Sequence, residues 1–149
     1  MDKEYVPIAD SAQFCNLSIS LAQGEDSEKL KNSLHGTLQG ISGTGSLKIA
    51  AAFLANLFPG NIEVYLPTPS RSNLTLIYKL SGLSVQQQTC GFDSQGTVQD
   101  IPKIPEKSIT LFHARAHNPT GADPKPEQCV EMSKVVQQKK LFPFFNVIY

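Results

Sequence analysis

The sequence predicts an α/β protein with three layers (α/β/α) around a mostly parallel sheet. Two observations favour this class: short apolar segments typical of strands are separated by longer segments with helical periodicity. In addition, the segment Ile109-Thr110-Leu111-Phe112 is almost continuously apolar, as expected for a parallel strand covered on both faces. The chain has 149 residues, 40% of them hydrophobic, so one domain with a core is expected.

The first half of the chain predicts two helices and one strand. Residues 7–21 place apolar side chains three and four positions apart, which predicts an amphipathic helix ending near Gly24. The polar residues 25–31 predict a surface connection. Residues 45–58 are rich in Ala and Leu and precede a Pro-Gly pair, which predicts a mostly buried helix. Residues 63–66 predict a short strand.

The second half predicts two more helices and three more strands. Residues 74–80 predict a helix that closes at a glycine, and residues 83–87 a strand. The apolar residues 109–113 predict a strand. Residues 126–139 begin with Pro and Glu and end with Lys, which predicts a helix. Residues 142–148 predict the last strand.

Charge, hydropathy and cysteine content restrict the partners and the cellular location that we expect for the protein. Thirteen basic and thirteen acidic residues cancel, so no nucleic acid or anionic membrane is expected as a partner. No apolar run approaches the roughly 20 residues of a membrane span, and the polar N-terminus resembles no signal peptide, so a cytoplasmic protein is expected. Cys15, Cys90 and Cys129 have no metal-site spacing, and we expect buried or half-buried thiols in a reducing compartment. Only 17% of residues are charged, which suggests that part of the surface is covered by something else.

The first candidate motif is Ser42-Gly43-Thr44-Gly45-Ser46, which opens into the Ala-rich helix. The first N–H groups of a helix have no intrahelical acceptor, and the helix dipole favours an anion there, phosphate above all. The hydroxyls of Ser42 and Thr44 add donors. The motif lacks the lysine of a Walker A loop, and a simple helix cap remains an alternative.

Two further motifs follow predicted strands, at the edge where parallel sheets bind ligands. The segment from His113 to Gly121 contains Asn118-Pro119, a turn by composition whose X-Pro bond could be cis. His113 and His117 lie on a strand end and a loop rather than on one helix face, so no metal site is expected. Asn146 and Tyr149 end the last strand. A structural turn and an amide at the edge of the core remain alternatives for these motifs.

Together these segments resemble the aspartate aminotransferase family, class I enzymes of the fold-type I pyridoxal phosphate group. The resemblance covers essentially the whole chain, and its combination of segments is specific. The matching segments are Asp2-Lys3-Glu4-Tyr5-Val6-Pro7-Ile8, Gly24-Glu25-Asp26-Ser27, Thr37 to Gly45, Tyr65-Leu66-Pro67, His117 to Gly121 and Phe144-Phe145-Asn146.

The resemblance implies pyridoxal phosphate as cofactor and assigns residues to it. Ser42, Gly43 and Thr44 match the cradle of the cofactor phosphate. Asn118 matches the amide that bonds the phenolic oxygen and helps hold the substrate carboxylate, and Tyr149 matches a tyrosine that bonds the same oxygen. Pro119 matches a proline that usually follows a cis bond, and His117 a residue that supports the ring-nitrogen partner.

Three positions depart from the family's pattern. Arg71 stands where the family has a Trp stacked on the pyridine ring and contacting the substrate, and a guanidinium can stack there but adds positive charge. Asn146 stands where the family has an Asp that keeps the ring nitrogen protonated, and an amide supplies no such charge. Arg115 replaces a small residue and could crowd its loop.

By resemblance, the reaction is amino transfer between L-aspartate and 2-oxoglutarate, with amino-acid and 2-oxo-acid substrates and a homodimeric full-length form. Residues 1–149 are expected to be part of the cofactor-binding large domain, without the small domain and N-terminal arm. The Schiff-base lysine is expected beyond residue 149, so no catalytic residue is assigned, and the chain alone is expected to be inactive. The alternatives are an inactive relative or truncated product that acts only by binding or dimerisation, and a fragment that does not fold.

Overall fold

The computed structural model describes residues 4–88 and 100–147, and the chain divides into two compact units, Met1–Ser46 and Leu47–Tyr149. The first unit contains α1 (Ala12–Gln23) and the short α2 (Glu28–Lys31). Helix α3 (Ser42–Leu57) begins in the first unit and continues into the second. Among the described residues of the first unit, many large apolar side chains are exposed, including Tyr5, Ile8, Leu21 and Ile41.

Helix α1 begins five residues later than predicted. Asp10 has a φ of 72°, a left-handed conformation that no α-helix continues, and its N–H donates to Pro7 O in a turn (2.7 Å). Ser11 then caps the helix, because its Oγ accepts from the N–H of Phe14 at 3.4 Å. The predicted end near Gly24, which has a φ of 81°, is confirmed. The predicted connection 25–31 is wrong in part, since it contains α2.

The second unit is built on a parallel sheet in the order β2-β1-β3-β4. The predicted strands and helices are found, most with boundaries shifted by one or two residues, and only β3 matches its prediction at both ends. A 3-10 turn, Ile101–Lys103, precedes β3. The elements in chain order are β1 (Glu63–Pro67), α4 (Ser72–Lys79), β2 (Ser84–Gln88), β3 (Ile109–His113), α5 (Pro126–Gln138) and β4 (Phe142–Asn146).

Both faces of the sheet are covered, which confirms the predicted α/β class and its three layers. One face packs against α3 and α4 in a core of Ala51, Leu54, Val64, Leu66, Leu74, Ile77, Tyr78, Leu83, Ile109 and Leu111. The other face packs against α5 and the 3-10 turn in a smaller cluster of Ile101, Ile104 and Leu141, bordered by Tyr65, Phe112, Met132, Val135 and Val136. Alternation along each strand produces this division, because successive side chains point to opposite faces.

The cysteine prediction is correct at one position and wrong at another. Cys15 is buried, and its thiol lies 3.4 Å from Ala9 O. Cys129 is exposed, because it borders a cavity of about 300 Å³ between α5 and the sheet instead of packing in the core. Cys90 lies outside the described residues.

Candidate functional site

The strand order reverses between β1 and β3, because β2 pairs with one edge of β1 and β3 pairs with the other. At such a point the loops after the two central strands diverge and leave a crevice at their carboxyl ends. Both loops contain a cis peptide bond, Thr68–Pro69 after β1 and Asn118–Pro119 after β3. The second agrees with the resemblance, whereas no signal in the sequence singled out the first.

Asn118 lies in a tightly bonded turn after β3. The N–H of His117 donates to Ala122 O at 3.1 Å, and the N–H of Gly121 donates to His117 O at 2.6 Å. The hydroxyl of Thr120 lies 2.8 Å from Nδ1 of His117. These bonds close the turn on both sides of the half-buried Asn118, so the backbone that carries its amide is held from both ends.

Two buried histidines stand beside this turn. The rings of His113 and His117 meet edge to face with centroids 4.9 Å apart. Burial lowers the pKa of His113, and burial together with the neighbouring His113 lowers the pKa of His117, so these surroundings favour the neutral form of both rings. Within residues 4–88 and 100–147, no three potential metal ligands come together.

Asn146 ends β4, directly beside the end of β3. It is half-buried and in register with His113, and its carbonyl accepts from the N–H of Ala114 at 3.1 Å. His113 is 5% exposed, and no hydrogen-bond partner for its Nε2 is found among the described residues. The end of β4 therefore offers neutral polar groups. Tyr149 lies outside the described residues, so its predicted contact stays a prediction.

Arg71 follows β1 and immediately precedes α4. It is exposed, and in the same loop the hydroxyl of Ser70 donates to Pro67 O. Since β1, β3 and β4 are neighbours in the sheet, the structure brings the loops of Arg71, Asn118 and the end of β4 to one edge. The second arginine, Arg115, does not crowd its loop, because its side chain is 76% exposed.

Ser42, Gly43 and Thr44 form the first turn of α3, rather than a loop that precedes the helix as predicted. All three are exposed, and Ser42 has a φ of 60°. A methyl group added to Gly43 would meet no atom within 4 Å, so this side of the turn is open. Exposed hydroxyls and first-turn N–H groups suit a phosphate, and the Asn118 amide suits a polar ring oxygen. Each of these groups by itself thus fits one part of a phosphorylated pyridine ligand, whereas Asn146 brings no charge.

Sequence reasoning missed the contribution of Asp123. Its carboxylate accepts from the N–H of Ala116 and lies 3.8 Å from Nε of Arg115. No local pattern in the sequence signals this contact, because it joins residues seven positions apart. In the described part of the chain no helix is long and apolar enough to cross a membrane.

Comparison with known proteins relates the whole chain to one family. The chain is 49% identical to the mitochondrial aspartate aminotransferase of Gallus gallus over 155 aligned residues, which cover 100% of this chain and 37% of that protein. It is 42% identical to aspartate aminotransferase 1 of Medicago sativa, over 99% of this chain and 37% of that protein. The chain thus spans little more than a third of the length of these relatives.

Solved structures give the same result. The cytoplasmic aspartate aminotransferase of Saccharomyces cerevisiae superposes with a TM-score of 0.91 at 32% identity, over 99% of this chain and 37% of that one. An aromatic amino acid aminotransferase from Burkholderia cenocepacia also has a TM-score of 0.91 and 32% identity, over 100% of this chain and 39% of that one.

The model of the family described as aminotransferase class I and II matches residues 1–149. This family and the aspartate aminotransferase relatives imply pyridoxal phosphate as the cofactor, which confirms that expectation. The chain belongs to the class I and II aminotransferases.

Proposed function

We propose that residues 1–149 form part of the pyridoxal phosphate-binding domain of an aspartate aminotransferase-like enzyme. The observation that carries the proposal is the turn of Asn118, closed by the hydrogen bonds of His117 and Gly121, at the carboxyl edge of the central parallel strands. The reaction proposed for the whole enzyme is amino transfer between L-aspartate and 2-oxoglutarate. Because the chain is also similar to an aromatic amino acid aminotransferase, the choice of L-aspartate as the amino donor is itself part of the proposal.

Each proposed binding residue has its own task. Ser42, Gly43 and Thr44 donate hydroxyl and N–H groups to the phosphate at the first turn of α3. Asn118 donates its amide to the phenolic oxygen and contributes to holding the substrate carboxylate, and Tyr149 donates to the same oxygen. When bound, the cofactor supplies an electron sink for the substrate's α-carbon.

Arg71 and Asn146 are proposed to weaken this chemistry. Arg71 stacks its guanidinium on the ring in place of an indole, contacts the substrate, and brings a positive charge close to the ring nitrogen. Asn146 bonds the ring nitrogen but does not hold a proton there, because an amide is neutral. Neither residue prevents binding, so cofactor affinity and catalytic competence are separable in this protein.

The proposal is tested by titrating the full chain with pyridoxal phosphate and following the cofactor's absorbance. We expect saturable binding that is about tenfold weaker for pyridoxal, which lacks the phosphate, and for Thr44→Ala. Ser133→Ala, the loss of an exposed hydroxyl on α5, is the control and should bind normally. No spectral change at millimolar cofactor, or equal binding of pyridoxal, would contradict the proposal.

A second candidate function is favoured by Asn146 and Arg71: a catalytically inactive relative that acts only through binding or dimerisation. Its test is native mass spectrometry of this chain mixed with an active aspartate aminotransferase, in which a mixed dimer is expected. A borohydride-stable cofactor adduct on a lysine of this chain would contradict the binding-only function.

Two further properties are proposed with the enzyme. The full-length form is a homodimer, in keeping with the many exposed apolar side chains of the first unit, and sedimentation of that form checks it. The location is cytoplasmic, in keeping with the free thiols of Cys15 and Cys129, although several of the similar proteins are mitochondrial. Fractionation of cells that express the tagged protein tests the location.

A further inference from the structure

We propose that Asp123 is a positioning residue that fixes the turn carrying Asn118. The inference rests on the proposed function for its consequence, cofactor binding, but the contact itself is independent of any ligand. Asp123 is distant from Asn118 by five positions in the chain, and its carboxylate reaches back across the turn to the backbone that leads into it.

The backbone conformation that Asp123 stabilises is that of Ala116. It has a φ of 47°, a left-handed conformation that is unfavourable for a residue with a Cβ. Its N–H donates to Oδ1 of Asp123, and a hydrogen bond to a charged acceptor is stronger than one between neutral groups. The carboxylate therefore stabilises a backbone conformation that local sterics disfavour, two residues before Asn118.

Past Ala116, the turn closes on itself. His117 N–H donates to Ala122 O and Gly121 N–H donates to His117 O, so residues 117–122 form one bonded unit. Ala116 precedes this unit and Asp123 follows it. The hydrogen bond between these two residues therefore holds both ends of the unit together, and we infer that the direction of the Asn118 amide depends on it.

Arg115 plays a lesser part. Its Nε lies 3.8 Å from Oδ2 of Asp123, but its side chain is 76% exposed and that of Asp123 is 47% exposed. Exposed ion pairs contribute little to a folded structure. Loss of the arginine should therefore leave the turn in place, whereas loss of the carboxylate should not.

The experiment compares four variants of the full chain. Asp123→Ala removes both contacts, Asp123→Asn keeps an oxygen that accepts from Ala116, and Arg115→Gln removes only the ion pair. Asp26→Ala is the matched control, because it removes an exposed ion pair (3.2 Å to Lys31) elsewhere in the chain. Thermal melting verifies that each variant folds.

The first measurement uses the protein without ligand. Amide exchange at Ala116 should become about tenfold faster or more in Asp123→Ala, with shifted side-chain amide resonances of Asn118. Asp123→Asn and Arg115→Gln should stay within about threefold of the wild type. Unchanged exchange and resonances in Asp123→Ala would overturn the inference, as would equal changes in Asp26→Ala.

The second measurement is titration with pyridoxal phosphate. Asp123→Ala should bind about tenfold more weakly and shift the absorbance maximum of the bound cofactor, and Asp123→Asn should largely restore both. Faster exchange with wild-type affinity and spectrum would overturn the positioning role. If the wild type binds no cofactor, the proposed function fails, while the ligand-free measurement still decides whether Asp123 fixes the turn.

Discussion

Replacing Tyr78 with Phe should stabilise the protein. Tyr78 is fully buried in the core between α4 and the sheet, and within residues 4–88 and 100–147 its hydroxyl finds no hydrogen-bond partner. Burial raises the pKa of this phenol well above its usual range, which reflects the same unfavourable surroundings. An unsatisfied buried hydroxyl costs about 1–3 kcal/mol relative to water.

The substitution removes only the hydroxyl. The edge-to-face contact with Phe144, with centroids 6.2 Å apart, is kept, so no cavity larger than one oxygen atom forms. The expected gain in the free energy of unfolding is about 1 kcal/mol, the lower end of that range, because the oxygen also loses its packing contacts. For a chain of this size, 1 kcal/mol corresponds to about 2–4 °C in melting temperature.

Urea denaturation measures the effect, with a higher midpoint and an unchanged slope expected for Tyr78→Phe. Tyr65→Phe is the matched control. The Tyr65 hydroxyl donates to Oε2 of Glu63 at 3.2 Å, so its loss should lower stability by about 0.5–1.5 kcal/mol. A midpoint for Tyr78→Phe at or below the wild type, or an equal gain in both variants, would refute the reasoning.

Two further predictions concern acid stability and glycine. Because burial lowers the pKa values of His113 and His117, the unfolded chain takes up protons first as pH falls below about 6.5. The free energy of unfolding should decline there by at most about 1.4 kcal/mol per pH unit for each histidine. Replacing both histidines with Gln should make the free energy of unfolding, measured by urea denaturation at several pH values, depend less on pH. Gly60→Ala should destabilise the chain by about 1–3 kcal/mol, since its Cβ would lie 2.8 Å from the backbone oxygen of Lys107 and 2.4 Å from the ring of Phe58. Gly43→Ala, with open space around it, should not lower the melting temperature.

The sheet could be predicted from the sequence because its strands are short apolar runs that polar residues, Gly or Pro interrupt. The segment Ile109–His113 was predicted with its observed ends, since polar residues flank it on both sides. The order β2-β1-β3-β4 could not be read from local pattern, because a parallel crossover can place the next strand on either side of the last one.

The misses at α1 and in the loops have local causes. The left-handed Asp10 delays α1, and sequence periodicity does not reveal the φ of a single polar residue. The cis bond at Thr68–Pro69 was missed because most X-Pro bonds are trans. Cys129 has helical spacing with the partly buried Met132, Val135 and Val136, yet it is exposed where α5 borders a cavity. Periodicity identifies a face of a helix but not how far the neighbouring layer extends along it.

Asn146 offers a direct test of the site's electrostatics that needs no ligand. Asn146 and His113 are paired in register on adjacent parallel strands, so their side chains share one face about 5 Å apart. A carboxylate at that distance favours the charged imidazole, so Asn146→Asp should raise the pKa of His113 by about one unit or more. Titration of the imidazole resonances by NMR measures the shift. Val147→Asp is the control, because Val147 is exposed and lies outside the register that pairs Asn146 with His113, and it should move the His113 pKa little. An unchanged His113 pKa in Asn146→Asp would show that position 146 does not set the charge at this edge. The account of why an amide there weakens cofactor chemistry would then be wrong.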